Sequence, residues 1–104
     1  MFKICFYVPL EFAAQVKQKM FAAGAGRIGY YDQCSWEVEG IGQFRALPGS
    51  TPFVGVENKT ELVRELRIEM VCERKHLQAA LSALKNTHPY ETPAYFITEG
   101  IEIV

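Results

Sequence analysis

The sequence has no strong charge of either sign, no long hydrophobic run and no closely spaced pair of cysteines. Its 104 residues carry 11 Lys and Arg against 12 Asp and Glu, so the formal net charge is -1. These charges are scattered, and a clustered positive field of the kind that attracts nucleic acid or an anionic membrane is missing, so both partners are disfavoured. The apolar FKICFYV near the N terminus is far shorter than a membrane span and precedes no signal-peptide cleavage pattern, so we expect a strand there.

The three cysteines, Cys5, Cys34 and Cys72, are odd in number and far apart in sequence. This spacing argues against a disulfide framework and against a structural zinc site. It fits a reducing compartment, and we expect the protein in the cytoplasm. The composition, 49% hydrophobic and 22% charged, is typical of one globular domain, which we expect to span residues 1–104.

Hydrophobic periodicity predicts an alternation of strands and helices. Residues such as Phe2, Ile4 and Phe6 recur with the period of two of a strand, whereas Val16 and Met20 recur with helical spacing before a helix stop at Gly24. The predicted elements are a strand at 2–8, a helix at 10–23, a hairpin within 32–47 that turns between Gly40 and Gly42, a short turn at 61–64 capped by Thr60, a strand at 66–73, a helix ending near Asn86, a strand at 94–98 and a short edge piece at 101–104.

This order predicts an α+β fold, the ferredoxin-like β-α-β-β-α-β sandwich, with a hairpin and loop inserted between its two halves. Both helices would cover one face of the sheet, so Cys5 and Cys72 should lie on opposite faces without bonding. The face towards the helices would carry Ile4, Phe6, Leu66, Ile68 and Met70, and the other face Lys3, Tyr7, Arg67, Glu69 and Val71. The second face is mixed in character and would suit pairing between subunits.

The segment GAGRIG, residues 24–29, matches the glycine pattern of dinucleotide-binding loops. Such a loop must follow a strand and open a helix so that the helix N terminus meets the pyrophosphate. Here the glycines follow a helix and precede the predicted hairpin. We therefore interpret the segment as a helix end and a connection, and assign no nucleotide to it.

The stretch THPYETPAYF, residues 87–96, contains the best candidate site. His88 and Glu91 are three residues apart, and their imidazole and carboxylate could converge on one cation or exchange a proton. A closed metal site needs more donors, which Cys34, Glu37, Glu39 or a second subunit could supply.

A different interpretation of the same stretch, which we favour, is a stiff turn. Pro89 and Pro93 would fix the backbone, Tyr90 would pack, and His88 would hydrogen bond to backbone carbonyl groups.

Aromatic residues near the predicted hairpin form a second candidate surface. Tyr30, Tyr31 and Trp36 could line a ligand cleft, although aromatic residues at a hairpin more often serve packing or interfaces. Cys34 could be a nucleophile if a histidine lowered its pKa, but in a hairpin strand we favour a packing role.

An ordered set of short motifs resembles one known family. The set runs GRIGYYDQCSWEVEGIGQFRALPGSTPFVG, then ELVRELRIE, then HPYETPAY, over residues 24–98. It resembles the CutA-like domain inserted in the NGG-one-interacting-factor-three family of dinuclear-metal hexameric proteins. Trp36 stands where Phe is more usual. The resemblance implies two metal-binding halves around this domain in full-length members, and their metal ligands correspond to no position of this chain.

As a stand-alone domain the chain is similar to YqfO-type small proteins. Its Pro-Tyr-Glu turn is also similar to that of the CutA divalent-cation tolerance proteins. The resemblance implies a trimer like those of CutA and PII proteins, whose lateral clefts hold small ligands or metal ions.

These observations favour a non-enzymatic homo-oligomeric module, a trimer, that binds a small ligand or a divalent metal ion and serves recognition or regulation. The alternatives are a small metal-dependent hydrolase that uses His88 and Glu91, and a structural partner of a separate metal-binding protein. No catalytic residue is assigned. The ligand-binding candidates are His88, Tyr90, Glu91, Tyr31 and Trp36, and the metal-binding candidates are His88, Glu91 and Cys34.

Overall fold

A computed structural model describes residues 1–101, so the edge piece predicted at 101–104 lies outside the described residues except for Ile101. Four strands and two α-helices alternate along the chain. They are β1 (Phe2–Pro9), a 3-10 turn (Leu10–Phe12), α1 (Ala13–Ala22), β2 (Trp36–Arg45), β3 (Thr60–Cys72), α2 (Arg74–Thr87) and β4 (Tyr95–Glu99). Neither helix is long and apolar enough to cross a membrane within the described part of the chain.

The four strands form one antiparallel sheet in the order β2-β3-β1-β4. The β1 strand pairs with β3 from Phe2 opposite Cys72 to Pro9 opposite Glu65, and with β4 along its other edge. This is the strand order of a ferredoxin-like fold with both crossovers made by helices, and the predicted fold class is confirmed.

The core lies between the sheet and the two helices. Alternate residues of β1 and β3 point towards the helices, as their period of two predicted, and meet the apolar stripes of α1 and α2. Cys72 is buried in this core while Cys5 is on the other face, and both are free thiols, so the predicted lack of a bond between them is confirmed. The fully buried residues of this core include Ile4, Phe6, Val8, Val16, Met20, Ile68, Ala80 and Leu84.

The predicted turn between Gly40 and Gly42 is wrong. Residues 36–45 form one continuous strand that pairs with β3 over ten positions, from Trp36 opposite Glu69 to Arg45 opposite Thr60. Neither glycine has a positive φ, so neither makes the tight turn that the sequence suggested. The hairpin instead joins β2 to β3 through the long loop 46–59, because pairing along the whole of β3 outweighs the weak strand preference of glycine.

The short turn predicted at residues 61–64 is also wrong, because these residues belong to β3. As a result, the β2–β3 hairpin extends beyond β1, which pairs with β3 only as far as Glu65.

The end of α1, in contrast, is as predicted: Gly24 follows the helix with φ +110°. A Cβ atom there would clash with the ring of His76 at the start of α2, so a glycine lets the two helices approach.

Candidate functional site

The turn that follows α2 is held against β1 by His88, which is 6% exposed. Its ring nitrogen Nε2 lies 2.6 Å from the carbonyl oxygen of Tyr7. The backbone N–H of Tyr90 donates a hydrogen bond of 3.1 Å to Nδ1 of the same ring. Since Nδ1 accepts, Nε2 carries the proton and donates to the Tyr7 carbonyl. The predicted hydrogen bonding of His88 to a backbone carbonyl is confirmed.

Burial lowers the pKa of His88, and the hydrogen bond to Tyr7 and the nearby Glu65 oppose this shift only in part. The neutral imidazole is therefore the stable form. Because both of its nitrogens are used by backbone groups, the ring fixes the geometry of the turn and leaves no nitrogen free for a substrate or a metal.

Tyr90 projects from this turn and reaches β3. Its hydroxyl donates a hydrogen bond of 2.7 Å to Oε2 of Glu65. Burial, followed by this bond and the carboxylate charge, raises the pKa of Tyr90 well above its usual range, so the hydroxyl keeps its proton. The Glu65 carboxylate lies where a Cβ atom of Gly42 would be, which makes the glycine on β2 necessary for this arrangement.

The loop 46–59 closes over the turn from the other side. The backbone N–H of Thr51 donates a hydrogen bond of 3.0 Å to Oε1 of Glu91. Phe53 in the same loop packs edge to face on Phe12, with ring centroids 5.4 Å apart. Residues far apart in sequence are thereby brought to one end of the sheet.

These elements line a cavity of about 440 Å³ that is open to solvent on one side. Its walls are mostly apolar and aromatic, and its polar groups include the side chains of Glu65 and Glu91. The size and character are those of pockets that hold small organic molecules. The lining residues are Tyr7, Gly42, Gln43, Phe44, Ala46, Ser50, Pro52, Phe53, Val54, Glu65, Tyr90, Glu91, Thr92 and Ala94.

The other predicted site residues lie elsewhere. Cys34 and Trp36 line a separate depression of about 290 Å³, and the thiol of Cys34 contacts the carbonyl oxygen of Asp32 at 3.7 Å. Trp36 is 55% exposed, and the guanidinium carbon of Arg67 lies over its ring, 5.6 Å from the ring centroid. Tyr31 is 75% exposed in a small bridge with Ile28. The structure thus brings Tyr90 and Glu91 to one cavity, and places Trp36 and Tyr31 outside it.

The metal-binding candidates do not converge within a single chain. Cys34 lies at the second depression, whereas His88 and Glu91 belong to the turn after α2. Among residues 1–101 no group of three or more His, Cys, Asp or Glu side chains is placed to share a metal ion. The described residues of one chain therefore do not fit a resident metal centre, such as the dinuclear one that the family resemblance implies for the full-length proteins.

Sequence reasoning missed Glu65, Phe44 and Phe53 as parts of the site. Glu65 is 25 residues from Tyr90, and its place opposite Gly40 follows from the β2–β3 register, which the wrong turn concealed. The signal that could have revealed it is the pair of glycines in an otherwise regular strand, because glycine inside a strand often marks a close approach by another group.

Known proteins resemble this chain in sequence and in fold. No family model matches the chain. The GTP cyclohydrolase 1 type 2 homolog of Mycobacterium leprae is 48% identical over 91 residues, which are 88% of this chain and 24% of that protein. The crystal structure of a Bacillus cereus protein related to NIF3 superposes with a TM-score of 0.79 at 32% identity, over 92% of this chain and 24% of that one.

A likeness in fold extends to a smaller protein. The periplasmic divalent cation tolerance protein CutA from Archaeoglobus fulgidus superposes with a TM-score of 0.70 at 17% identity, over 100% of this chain and 88% of that one. The chain is therefore a ferredoxin-like domain of the CutA type. It is homologous to one part of the proteins related to NIF3, the NGG-one-interacting-factor-three family, and the resemblance seen in the sequence is confirmed. The chain spans about a quarter of the length of the curated relatives that it matches.

Proposed function

We propose that this chain is a non-enzymatic module that binds a small organic molecule in the cavity between β2, the loop 46–59 and the turn after α2. The observation that supports this most directly is the cavity itself, about 440 Å³, with an apolar wall and a few polar groups including Glu65 and Glu91. Such a combination is typical of sites that bind and orient a small ligand. His88 holds the turn in place, and Tyr90 and Glu91 contact the ligand.

The hydrogen bonds of His88 support binding rather than catalysis. A general base needs a free nitrogen within reach of a substrate proton, and both nitrogens of His88 already bond to the backbone of Tyr7 and Tyr90. The hydroxyl of Tyr90 bonds to Glu65, and Glu91 accepts from Thr51. These groups are set in fixed positions suited to recognition. The activity in the name of the longer relatives is not proposed for this chain, which spans a quarter of them.

We also propose that the module assembles into a trimer through the face of the sheet that the helices leave uncovered. Trp36, Val38 and Phe96 are 55%, 41% and 62% exposed there. Beyond β1 the other face of the β2–β3 ribbon exposes Ile41 by 73% and Leu62 by 64%, so the ribbon would gain stability from a neighbour that also contacts this side. In this assembly Tyr31 and Trp36 contribute to a cleft between subunits.

A second candidate function is the binding of a divalent ion, and the observation that favours it is the presence of two carboxylates, Glu65 and Glu91, at one cavity. Oxygen ligands of this kind suit a hard divalent cation. Further donors, such as Cys34, would have to come from a neighbouring subunit. His88 would join them only by giving up a backbone hydrogen bond.

Two other expectations from the sequence remain proposals. The described apolar residues form a core cluster shared by the sheet and both helices, which supports one domain over residues 1–104. The three free thiols support a reducing, cytoplasmic compartment.

The binding proposal is tested by following backbone amide signals by NMR during separate titrations with four probes. These are choline, guanosine, GTP and magnesium chloride. We expect saturable shifts at Phe44, Tyr90 and Glu91 with at least one of these probes. The variant Glu91→Ala should weaken that binding, whereas Glu99→Ala, at the far edge of the sheet, should not. Failure of all four probes to produce a saturable shift at these amides would show that the cavity is not a binding site.

A further inference from the structure

The carboxylates of the cavity differ in their partners from five other glutamates of the protein. Glu37, Glu39, Glu69, Glu73 and Glu99 each lie within ion-pairing distance of a Lys or Arg. Within residues 1–101, Glu65 and Glu91 have no such partner, and their hydrogen bonds come from the uncharged Tyr90 hydroxyl and the Thr51 amide. The negative charge of these two side chains is therefore not neutralised by the described residues.

The remaining wall of the cavity adds no positive charge. None of its fourteen lining residues is Lys, Arg or His. The carboxylate of Glu11 lies close enough to contribute to the raised pKa of Tyr90, so a third negative group acts on the same region. Glu65 is partly buried, which weakens the screening of its charge by water, whereas Glu91 and Glu11 are exposed.

Four aromatic side chains complete the wall: Tyr7, Phe44, Phe53 and Tyr90. The rings of Phe44 and Tyr90 lie 6.1 Å apart and are tilted by 57°, so they do not stack on each other. Aromatic faces carry partial negative charge and attract cations, and groups of them bind alkylated ammonium ions.

Building on the proposed function, we infer that the cavity selects a small organic cation: an amine or a quaternary ammonium compound with apolar substituents. The carboxylates of Glu65 and Glu91 would balance its charge, and the aromatic wall would contact both the charged group and its alkyl substituents. A volume of about 440 Å³ accommodates such a molecule. An anionic ligand would instead face uncompensated repulsion, and a bare metal ion would leave the apolar wall without a contact.

The test compares choline with 3,3-dimethyl-1-butanol, called dimethylbutanol below. This molecule has the same shape, but a neutral carbon replaces the charged nitrogen. Because only choline offers a charge to the carboxylates and to the aromatic rings, we expect choline to bind the wild-type protein about tenfold more tightly. Affinities are measured from the NMR shifts of Phe44 and Tyr90. Glu65→Gln, which keeps the size of the side chain and an acceptor for Tyr90, should weaken choline binding and leave dimethylbutanol binding unchanged.

Glu99→Gln is the matched control, because Glu99 lies on β4 and pairs with Arg74 at 3.3 Å. It should leave the affinities for both molecules unchanged. Equal affinity of the wild-type protein for choline and dimethylbutanol would overturn the inference. So would saturable binding of guanosine, GTP or magnesium at the cavity without binding of choline, although the proposed binding function would then stand. Failure of every probe would overturn both.

Discussion

The hydroxyl of Tyr90 and the carboxylate of Glu65 form a hydrogen bond of 2.7 Å between residues that are 25 positions apart in the sequence. The bond ties the turn after α2 to the middle of β3, and it forms on one side of the cavity. His88 in turn positions Tyr90 and bonds to the backbone of β1. The side chains of Glu65, His88 and Tyr90 therefore connect β1, the turn after α2 and the β2–β3 hairpin.

The variant Tyr90→Phe should lower the free energy of unfolding by about 1 kcal/mol, because it removes the hydroxyl and leaves a partly buried carboxylate without its donor. Chemical denaturation of the single variants Tyr90→Phe and Glu65→Ala, each of which removes the bond, and of the double variant measures this coupling. We expect the two single effects to sum to more than the effect of the double variant. Strict additivity would mean that the hydrogen bond contributes nothing.

The variant Gly42→Ala should move the carboxylate of Glu65 while leaving the fold intact. The new Cβ would overlap Oε1 of Glu65, which is the end of a flexible side chain and can turn away. The lost hydrogen bond to Tyr90 is offset in part because alanine is less costly than glycine in a strand, so the melting temperature should change little. The amide and ring signals of Tyr90 should shift.

Gly40→Ala is the control for this substitution. Gly40 lies in the same strand, and a Cβ added there meets no atom within 4 Å. The spectrum of Tyr90 should stay as in the wild-type protein. A shift of Tyr90 that is as large in Gly40→Ala as in Gly42→Ala would contradict the contact between Gly42 and Glu65.

The free energy of unfolding should fall in mild acid, because unfolding lets the buried ring of His88 take up a proton. Burial places its pKa in the folded state below the ordinary histidine value of 6.5, so the unfolded chain takes up a proton at a higher pH than the folded one. The stability associated with the neutral ring is fully present above about pH 6.5 and is lost as the pH falls from there through the lowered pKa of the folded state. Denaturation midpoints measured from pH 8 down to pH 5, the span over which such a group titrates, should show this loss.

In His88→Gln the loss over the same pH interval should be smaller, although the variant should be less stable at neutral pH because a glutamine does not reproduce both backbone hydrogen bonds. His76→Gln separates the contribution of His88 from that of the other histidine in the chain. An unchanged pH dependence in His88→Gln would show that the ring of His88 is not held neutral.

The sequence was sufficient to predict the ferredoxin-like order because the alternation of Ile68 and Met70 in β3 and the stripe of Ala80 and Leu84 in α2 are strong local signals. It was insufficient for β2, an exposed edge strand whose extended conformation depends on pairing with β3 rather than on its own pattern. The turn at residues 88–91 was found from its prolines and polar residues. Its partner Glu65 was not, because that contact depends on the register between strands.

Trp36 provides a direct test of assembly, because it is the only tryptophan in the chain and lies on the uncovered face of the sheet. If this face forms the trimer interface, light scattering should give about three times the chain mass of 11.8 kDa. Burial in the interface would then shift the tryptophan emission to shorter wavelength, and dilution should reverse the shift as the trimer dissociates.

Phe96→Glu, on the same face, should favour the monomer, because a buried unpaired charge is costly. Leu47→Glu, in the loop after β2, is the control for an added charge at an exposed apolar position and should keep the wild-type mass. A monomer at all concentrations, with emission independent of dilution, would rule out the interface that we propose.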